Sequence, residues 1–189
     1  MELYSVVLFV HVVAAIGLVG GTAWLHLSTV LARRAATVDG ARSQVEYIGT
    51  VTKASMPFAL VTVAAGLYLA FAGDHWGAGW PGVSLGLFVV AGAIAGGAIA
   101  PGVAALREVV DAAPAGPVPH DVREAMADRR LVLLPWVLTG VDLAIVFLMT
   151  VKPALGTSLA VGALGVALGV VLGARETRHL AGAPAAPAV

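Results

Sequence analysis

Five long stretches of the sequence are almost free of charged residues. Four of them contain no Asp, Glu, Lys or Arg: residues 3–32, 54–73, 75–106 and 153–174. The fifth, residues 131–151, contains only Asp142. Each stretch reaches the roughly 20 residues that an α-helix needs to cross the hydrocarbon core of a bilayer. The sequence therefore predicts an all-α, polytopic integral membrane protein.

We predict a single bundle of five transmembrane helices, a four-helix core plus a fifth helix, within residues 1–174. Pro153 makes the break between helices four and five, because proline cannot continue a helix without losing a hydrogen bond. Residues 175–189 are predicted to form a disordered cytoplasmic tail. The predicted helices lie at about 4–31, 55–72, 83–106, 131–151 and 155–173.

The positive charges are distributed unevenly around these helices. Ten of the eleven Lys and Arg residues follow helix one, three or five in the chain, and only Lys152 lies in the other set of loops. Short loops rich in Lys and Arg stay in the cytoplasm. We therefore predict an external N-terminus, an internal C-terminus and a multi-pass protein of the bacterial plasma (inner) membrane, with the lipid bilayer as a partner.

The composition excludes several classes of protein. Eleven basic residues balance eleven acidic ones, so the chain lacks the basic surplus of a nucleic-acid binder. The absence of cysteine excludes disulfides, thiolate metal sites, iron–sulfur clusters and a cysteine nucleophile. The sequence contains no phosphate-binding glycine loop, Ser/His/Asp arrangement or zinc-protease helix. These observations leave open whether the protein is an enzyme.

Glycines recur at four-residue spacing in three of the predicted helices. In lipid, helices associate through close backbone contact at small residues, because hiding apolar side chains gains little there. The spacing is typical of packing within one bundle and equally of a surface for a homo-oligomer or a membrane-protein partner. The glycines are Gly17 and Gly21, Gly92 and Gly96, and Gly165, Gly169 and Gly173.

Helix one carries a stripe of polar residues opposite its glycines. At about 100° per residue, Thr22, His26 and Thr29 all fall within about 60° of His11. We expect this stripe to face the interior of the bundle. His26 lies about 22 Å along the helix from His11, near the basic inner end, where its ring can reach the interface. We therefore treat His26 as a secondary candidate.

His11 is the leading candidate for a ligand or proton-handling group. Met149 on helix four lies at nearly the same depth if helices one and four are antiparallel neighbours, and His with Met forms an axial pair for haem or a soft site for copper. His75 in the external loop is a further metal-ligand candidate. Each also has a structural interpretation: His11 as a hydrogen-bonding partner of another helix, Met149 as a core filler, and His75 as a solvated loop residue.

Asp142 lies near the bilayer midplane, where an ionised carboxylate costs roughly 2.5 to 3.5 kcal/mol. Burial there favours the neutral, protonated carboxyl, which can donate a hydrogen bond. Thr139 lies on the same side of helix four, and Thr22 belongs to the stripe of helix one. Two interpretations stay open: a proton relay, or a neutral clasp between helices.

Three short stretches, residues 8–21, 66–70 and 147–153, resemble a bacterial family of predicted integral membrane proteins of unknown function. The first helix is also similar to the copper-resistance D membrane domain and, more distantly, to HemJ-type protoporphyrinogen oxidase. The resemblance implies a membrane-helix fold over helices one to four. It also implies haem binding at His11, which matches the first-helix histidine of the oxidase family. We do not extend it to oxidase activity, because Leu18 stands where those relatives usually have Trp and helix five has no counterpart.

The leading hypothesis from the sequence is thus a small membrane protein that handles haem b or copper, or passes electrons or protons. Its candidate residues are His11, Met149 and His75 for the cofactor or metal, and Asp142 for the proton. Two alternatives come from other classes. One is a non-catalytic accessory or assembly subunit that binds partner helices, and the other is a small proton-coupled transporter.

Overall fold

The computed structural model describes residues 2–181, and nearly all of them are helical. Five segments are long and apolar enough to cross a membrane, so the all-α prediction with five spans is confirmed. A 3-10 turn, Trp76–Ala78, precedes the third span, and a π-helical turn, Ala95–Ile99, lies within it. The α-helices are α1 Leu3–Arg33, α2 Val38–Ala72, α3 Trp80–Ile94, α4 Ala100–Ala112, α5 His120–Met126, α6 Arg129–Val151 and α7 Leu155–Ala181.

Three predicted boundaries were wrong. The third span continues to Ala112 rather than ending at residue 106, because its inner end also extends beyond the charge-free stretch. The second helix begins at Val38 rather than at residue 55, because charged residues can continue a helix beyond the membrane, and Thr37 Oγ1 caps it by accepting the Gly40 N–H at 3.2 Å. The last helix continues to Ala181, so residues 175–181 are helical and not a disordered tail. The remainder of the predicted tail, residues 182–189, lies outside the described residues.

Helix α6 occupies the centre of the bundle. It packs against α7 along most of its length and also contacts α1 and α3, while α1 packs mainly against α2. The most apolar segment of each span shows the difference. In the span that contains α6, 56% of the residues of this segment are buried, whereas the other four spans have 6–17%. A larger share of side chains therefore faces protein on α6 than on the other spans, although Leu143, Phe147 and Val151 are exposed.

The repeated glycines of α1 and α7 bring helices of the same chain together. A Cβ atom at Gly17 would come 2.7 Å from the Phe58 ring of α2, and one at Gly169 would come 2.5 Å from the main-chain oxygen of Trp136 in α6. Gly21, Gly165 and Gly173 make equally close approaches to α2 or α6. Intrachain packing thus uses these faces. An oligomer stays a prediction, and a partner helix would have to use another surface.

The two ends of the bundle are packed differently. Near the basic end, α5 and the inner parts of α1, α2, α4 and α6 form an apolar core around Val38, Val110, Val122 and Leu131. A second cluster, around Ile48 and Ile99, continues this core toward the middle of the bundle. At the other end, which is external in the predicted orientation and is called the outer end below, the helices separate.

Candidate ligand cavity

A cavity of about 650 Å³ lies between α1, α2, α3 and α6 in the outer half of the bundle. Its wall is almost entirely apolar, with a few polar groups. Leu8, Ile16 and Val146 line the cavity and are also exposed, which indicates that it opens toward the surface of the bundle. Cofactor and ligand sites are commonly apolar clefts of about 300–1,000 Å³ with a few polar groups that orient the ligand.

His11 is the most precisely held polar group in the cavity wall. Its side chain is buried, with 9% exposure, and its Nδ1 lies 2.9 Å from the main-chain oxygen of Thr62 in α2. Because a carbonyl oxygen only accepts, Nδ1 carries the proton and donates it. The Nε2 of the neutral ring then has a free lone pair, and no hydrogen bond from residues 2–181 occupies it.

Gly66 provides the room for the His11 ring. A Cβ atom at this position would come 3.0 Å from His11 Cε1 and 3.3 Å from Nδ1. Both distances are shorter than ordinary van der Waals contact. Glycine therefore lets the imidazole approach the α2 backbone closely enough to reach the Thr62 carbonyl.

Three buried polar atoms lack a hydrogen-bond partner among the described residues, and all three belong to side chains that line this cavity. They are Thr62 Oγ1, Ser84 Oγ and Asp142 Oδ2. A buried polar atom without a partner costs about 1–3 kcal/mol, and native structures contain few of them. All three side chains thus belong to the same part of the bundle as His11.

Asp142 has one of its two predicted polar neighbours. The Thr22 hydroxyl of α1 lies near the Asp142 carboxyl, but it donates to the main-chain oxygen of Leu18 in its own helix, at 3.5 Å. Thr139 instead donates to the main-chain oxygen of Pro135, four residues back in its own helix, at 2.9 Å. Thr22 is thus a neighbour of Asp142 on α1, and the hydroxyls of both Thr22 and Thr139 bond within their own helices.

The other two predicted ligands, Met149 and His75, line the same cavity as His11. The structure thus places all three around one space, although they come from α6, the external loop and α1. No group of three His, Asp or Glu residues within the described part of the chain lies close enough to hold a metal ion.

The outer rim of the cavity is formed by aromatic and basic side chains. The indole of Trp80 is buried, and the His75 ring lies 5.6 Å from it, measured between centroids. The Lys152 ammonium lies 5.7 Å from the centroid of the same indole. A cation at this distance from an aromatic face is attracted to the ring. The rim thus combines an apolar platform with a positive charge.

His26 lies outside the cavity, at the inner end of the bundle. Its ring packs edge-on against Trp136 with centroids 4.3 Å apart. The Trp136 Nε1 donates to the Glu176 carboxylate, which also pairs with Arg33. This cluster of His26, Trp136, Arg33 and Glu176, called the inner clasp below, joins α1, α6 and α7. Its contacts are structural, and they separate His26 from the candidate ligands.

Comparison with known sequences places the chain in a family. Residues 5–153, well over half of the sequence, match a family described as predicted integral membrane proteins. The chain belongs to the DUF2269 family. No curated protein and no solved structure matches it.

The DUF2269 match includes every residue that lines the cavity except Tyr4, and it ends before α7. It supports one of the three sequence resemblances, that to predicted integral membrane proteins. It gives no support to a relationship with the copper-resistance D domain or with HemJ-type oxidase. Haem and copper therefore enter only as proposals for this DUF2269 protein.

Three residues of the cavity wall carried no clear sequence signal. Thr62 and Ser84 are single hydroxyls within apolar helices, and such hydroxyls usually bond to the carbonyl four residues back, as Thr139 does. Gly66 is one of 23 glycines. Only its spatial relationship to His11 distinguishes it, and nothing in the spacing of the two residues predicts that relationship.

Proposed function

We propose that this DUF2269 protein binds haem b in the outer half of the bacterial inner membrane, with His11 as an axial ligand. The observation that carries the proposal is the arrangement of the His11 ring. Its Nδ1 is fixed by the Thr62 carbonyl, and its Nε2 is free in the cavity wall. Histidines that bind metals in proteins commonly donate the other ring N–H to a carbonyl or carboxylate, which sets the tautomer and the orientation of the ring.

The remainder of the cavity fits a haem in size and chemistry. Its volume of about 650 Å³ and its apolar wall suit a large, flat, mostly apolar group. Met149 lines the same space and offers a thioether as a second axial ligand. A bound haem would supply one-electron redox chemistry. The residues of the chain would hold the group, exclude water from it and set the basicity of the His11 ligand.

The same hypothesis is weaker for copper than for haem. A copper ion held by protein alone commonly takes three or more ligands. No set of three His, Asp or Glu residues in the described part of the chain is arranged for this. Haem would need fewer protein ligands, and His11 and Met149, which both line the cavity, would be the residues to hold it.

The test is the visible spectrum of the full chain purified in detergent and supplied with haem. We expect a Soret band at one haem per chain in the wild type, and its loss or shift in His11→Ala. His26→Ala is a matched control, because it removes a histidine from the same helix outside the cavity, and we expect it to leave the band unchanged. Equal spectra for wild type and His11→Ala would remove His11 as the ligand. A colourless protein without metal would overturn the haem proposal and favour an accessory or assembly subunit.

Asp142 supports a second candidate, proton handling by the same protein. Its carboxyl lies within the membrane span, near Thr22, and keeps Oδ2 without a partner among the described residues. Ionisable groups inside membrane spans commonly serve proton or ion pathways. Proteoliposomes under a pH gradient test this role. Proton flux that is lost in Asp142→Asn supports it, and flux at the wild-type rate in that variant contradicts it.

A further inference from the structure

Lys152 occupies a backbone conformation that normally belongs to glycine. It follows the last residue of α6 with φ 52° and ψ 53°, in the left-handed region, and its N–H bonds to the Leu148 oxygen at 3.0 Å. Glycine is the common residue at such a helix end, because a side chain there is strained. A lysine in this position costs backbone energy, so its side chain calls for an explanation.

The Lys152 ammonium lies at the cavity rim without an acidic partner. Its side chain lines the cavity, and its Nζ lies 5.7 Å from the centre of the Trp80 ring. None of the ion pairs among residues 2–181 includes it. It is also the one Lys or Arg assigned to the external side by the charge distribution. A positive charge thus lies beside the opening of an otherwise apolar cavity.

We propose that Lys152 binds an anionic group of the ligand whose apolar body occupies the cavity. This inference rests on the proposed function, which makes the ligand a porphyrin, and the anionic groups are then its two carboxylates. The polarity of the site defines the orientation of the ligand. The macrocycle lies deep, toward His11, and at least one carboxylate lies at the outer rim, where the ammonium and interfacial water keep it solvated.

Metal-free protoporphyrin IX and its dimethyl ester separate this recognition from iron ligation. Binding of either to the detergent-solubilised full chain is followed by quenching of tryptophan fluorescence. We expect the wild type to bind the free acid more tightly than the ester, and Lys152→Gln to lose about tenfold in affinity for the acid but little for the ester, since one charge-assisted bond is removed. Lys53→Gln is the matched control, because it removes the only other lysine, at a position that does not line the cavity.

The variant Lys152→Gly distinguishes loss of the ammonium from misfolding. It removes the ammonium and at the same time relieves the left-handed backbone, so we expect the same loss of affinity with no loss of thermal stability. Equal binding of acid and ester by the wild type, or an unchanged preference in either Lys152 variant, overturns the proposal. A normal acid preference in the wild type, together with identical haem spectra for the wild type and His11→Ala, would overturn haem ligation by His11 and leave the role of Lys152 intact. Failure of the wild type to bind either porphyrin overturns both.

Discussion

His11 Nδ1 lies 2.9 Å from the main-chain oxygen of Thr62, while Gly66, one turn further along α2, faces the same ring. Helix α2 thus fixes the imidazole of α1 in two ways. The Thr62 carbonyl accepts its hydrogen bond, and Gly66 leaves room for the ring because it has no side chain. The backbone of α2 therefore determines the tautomer and the direction of the ring. The free Nε2 in the cavity wall is a consequence of this contact, not of the His11 position alone.

The dependence of His11 on Gly66 gives the first prediction. Gly66→Ala places a Cβ 3.0 Å from His11 Cε1, so the ring must shift and its bond to Thr62 weaken. We expect haem affinity to fall about tenfold and the Soret maximum to move, although the histidine is still present. Absorption titration with haem measures both.

Gly49→Ala is the control for this substitution. Gly49 is in the same helix, and a Cβ there would have no atom within 4 Å. We expect wild-type ligand affinity, with stability unchanged or slightly raised because alanine favours helix over glycine. Wild-type affinity in Gly66→Ala would show that the close approach to His11 has no bearing on binding.

The second prediction concerns Asp142. The sequence left two interpretations of this residue, a clasp and a proton site. Its Oδ2 is buried without a partner among the described residues, and replacing such a group by an apolar one of similar size is neutral or stabilising. We therefore expect the free energy of unfolding of Asp142→Leu to equal that of the wild type or to exceed it by up to about 1 kcal/mol. We also expect this variant to lose any proton-linked activity. Denaturant titration followed by circular dichroism measures the stability. A loss of more than about 2 kcal/mol would support the clasp.

Much of the fold could be predicted because lipid imposes strong rules on sequence. A span must be long and nearly free of charge, so five such stretches predict five helices. The start of α2 could not be obtained in this way, since residues beyond the bilayer follow ordinary helix rules, and the cap at Thr37 is a weak local signal. The same holds for the inner end of α7, where charged residues continue the helix to Ala181.

The candidate site was predictable only in part, for a related physical reason. Titratable groups in lipid are costly, so His11 and Asp142 stand out from the sequence alone. Hydroxyls and glycines are inexpensive in a membrane helix, so Thr62, Ser84 and Gly66 do not. Their role depends on how α2 and α3 are placed around the cavity, and that placement follows from packing rather than from any local pattern.

The third prediction concerns the inner clasp. Arg33 and Glu176 are 11% and 23% exposed, and Glu176 also accepts the indole N–H of Trp136. Glu176→Ala leaves a mostly buried guanidinium and a partly buried indole N–H without their acceptor. We expect a loss of about 1–3 kcal/mol in the free energy of unfolding, measured by denaturant titration in detergent.

Two further variants show which interaction causes that loss of stability: Glu176→Gln and Asp39→Ala. Glutamine keeps an acceptor for Trp136 but removes the charge, so we expect an intermediate effect. Asp39 pairs with Arg42 at the surface, with side chains 70% and 39% exposed, and such pairs are worth about 0.2–1 kcal/mol at most. Equal, small losses in Glu176→Ala and Asp39→Ala would show that the inner clasp does not fasten α7 to the bundle.

The fourth prediction tests the orientation on which the outer cavity depends. The chain has no cysteine, so single cysteines can be introduced without removing native ones. Ala78 lies in the 3-10 turn before α3, Ala115 lies between α4 and α5, and both are exposed. In intact cells we expect a membrane-impermeant maleimide to label Ala78→Cys and to label Ala115→Cys only after permeabilisation, because the basic loops stay inside. The opposite pattern would move the cavity to the cytoplasmic side, where Lys152 would meet ligands from the cell interior.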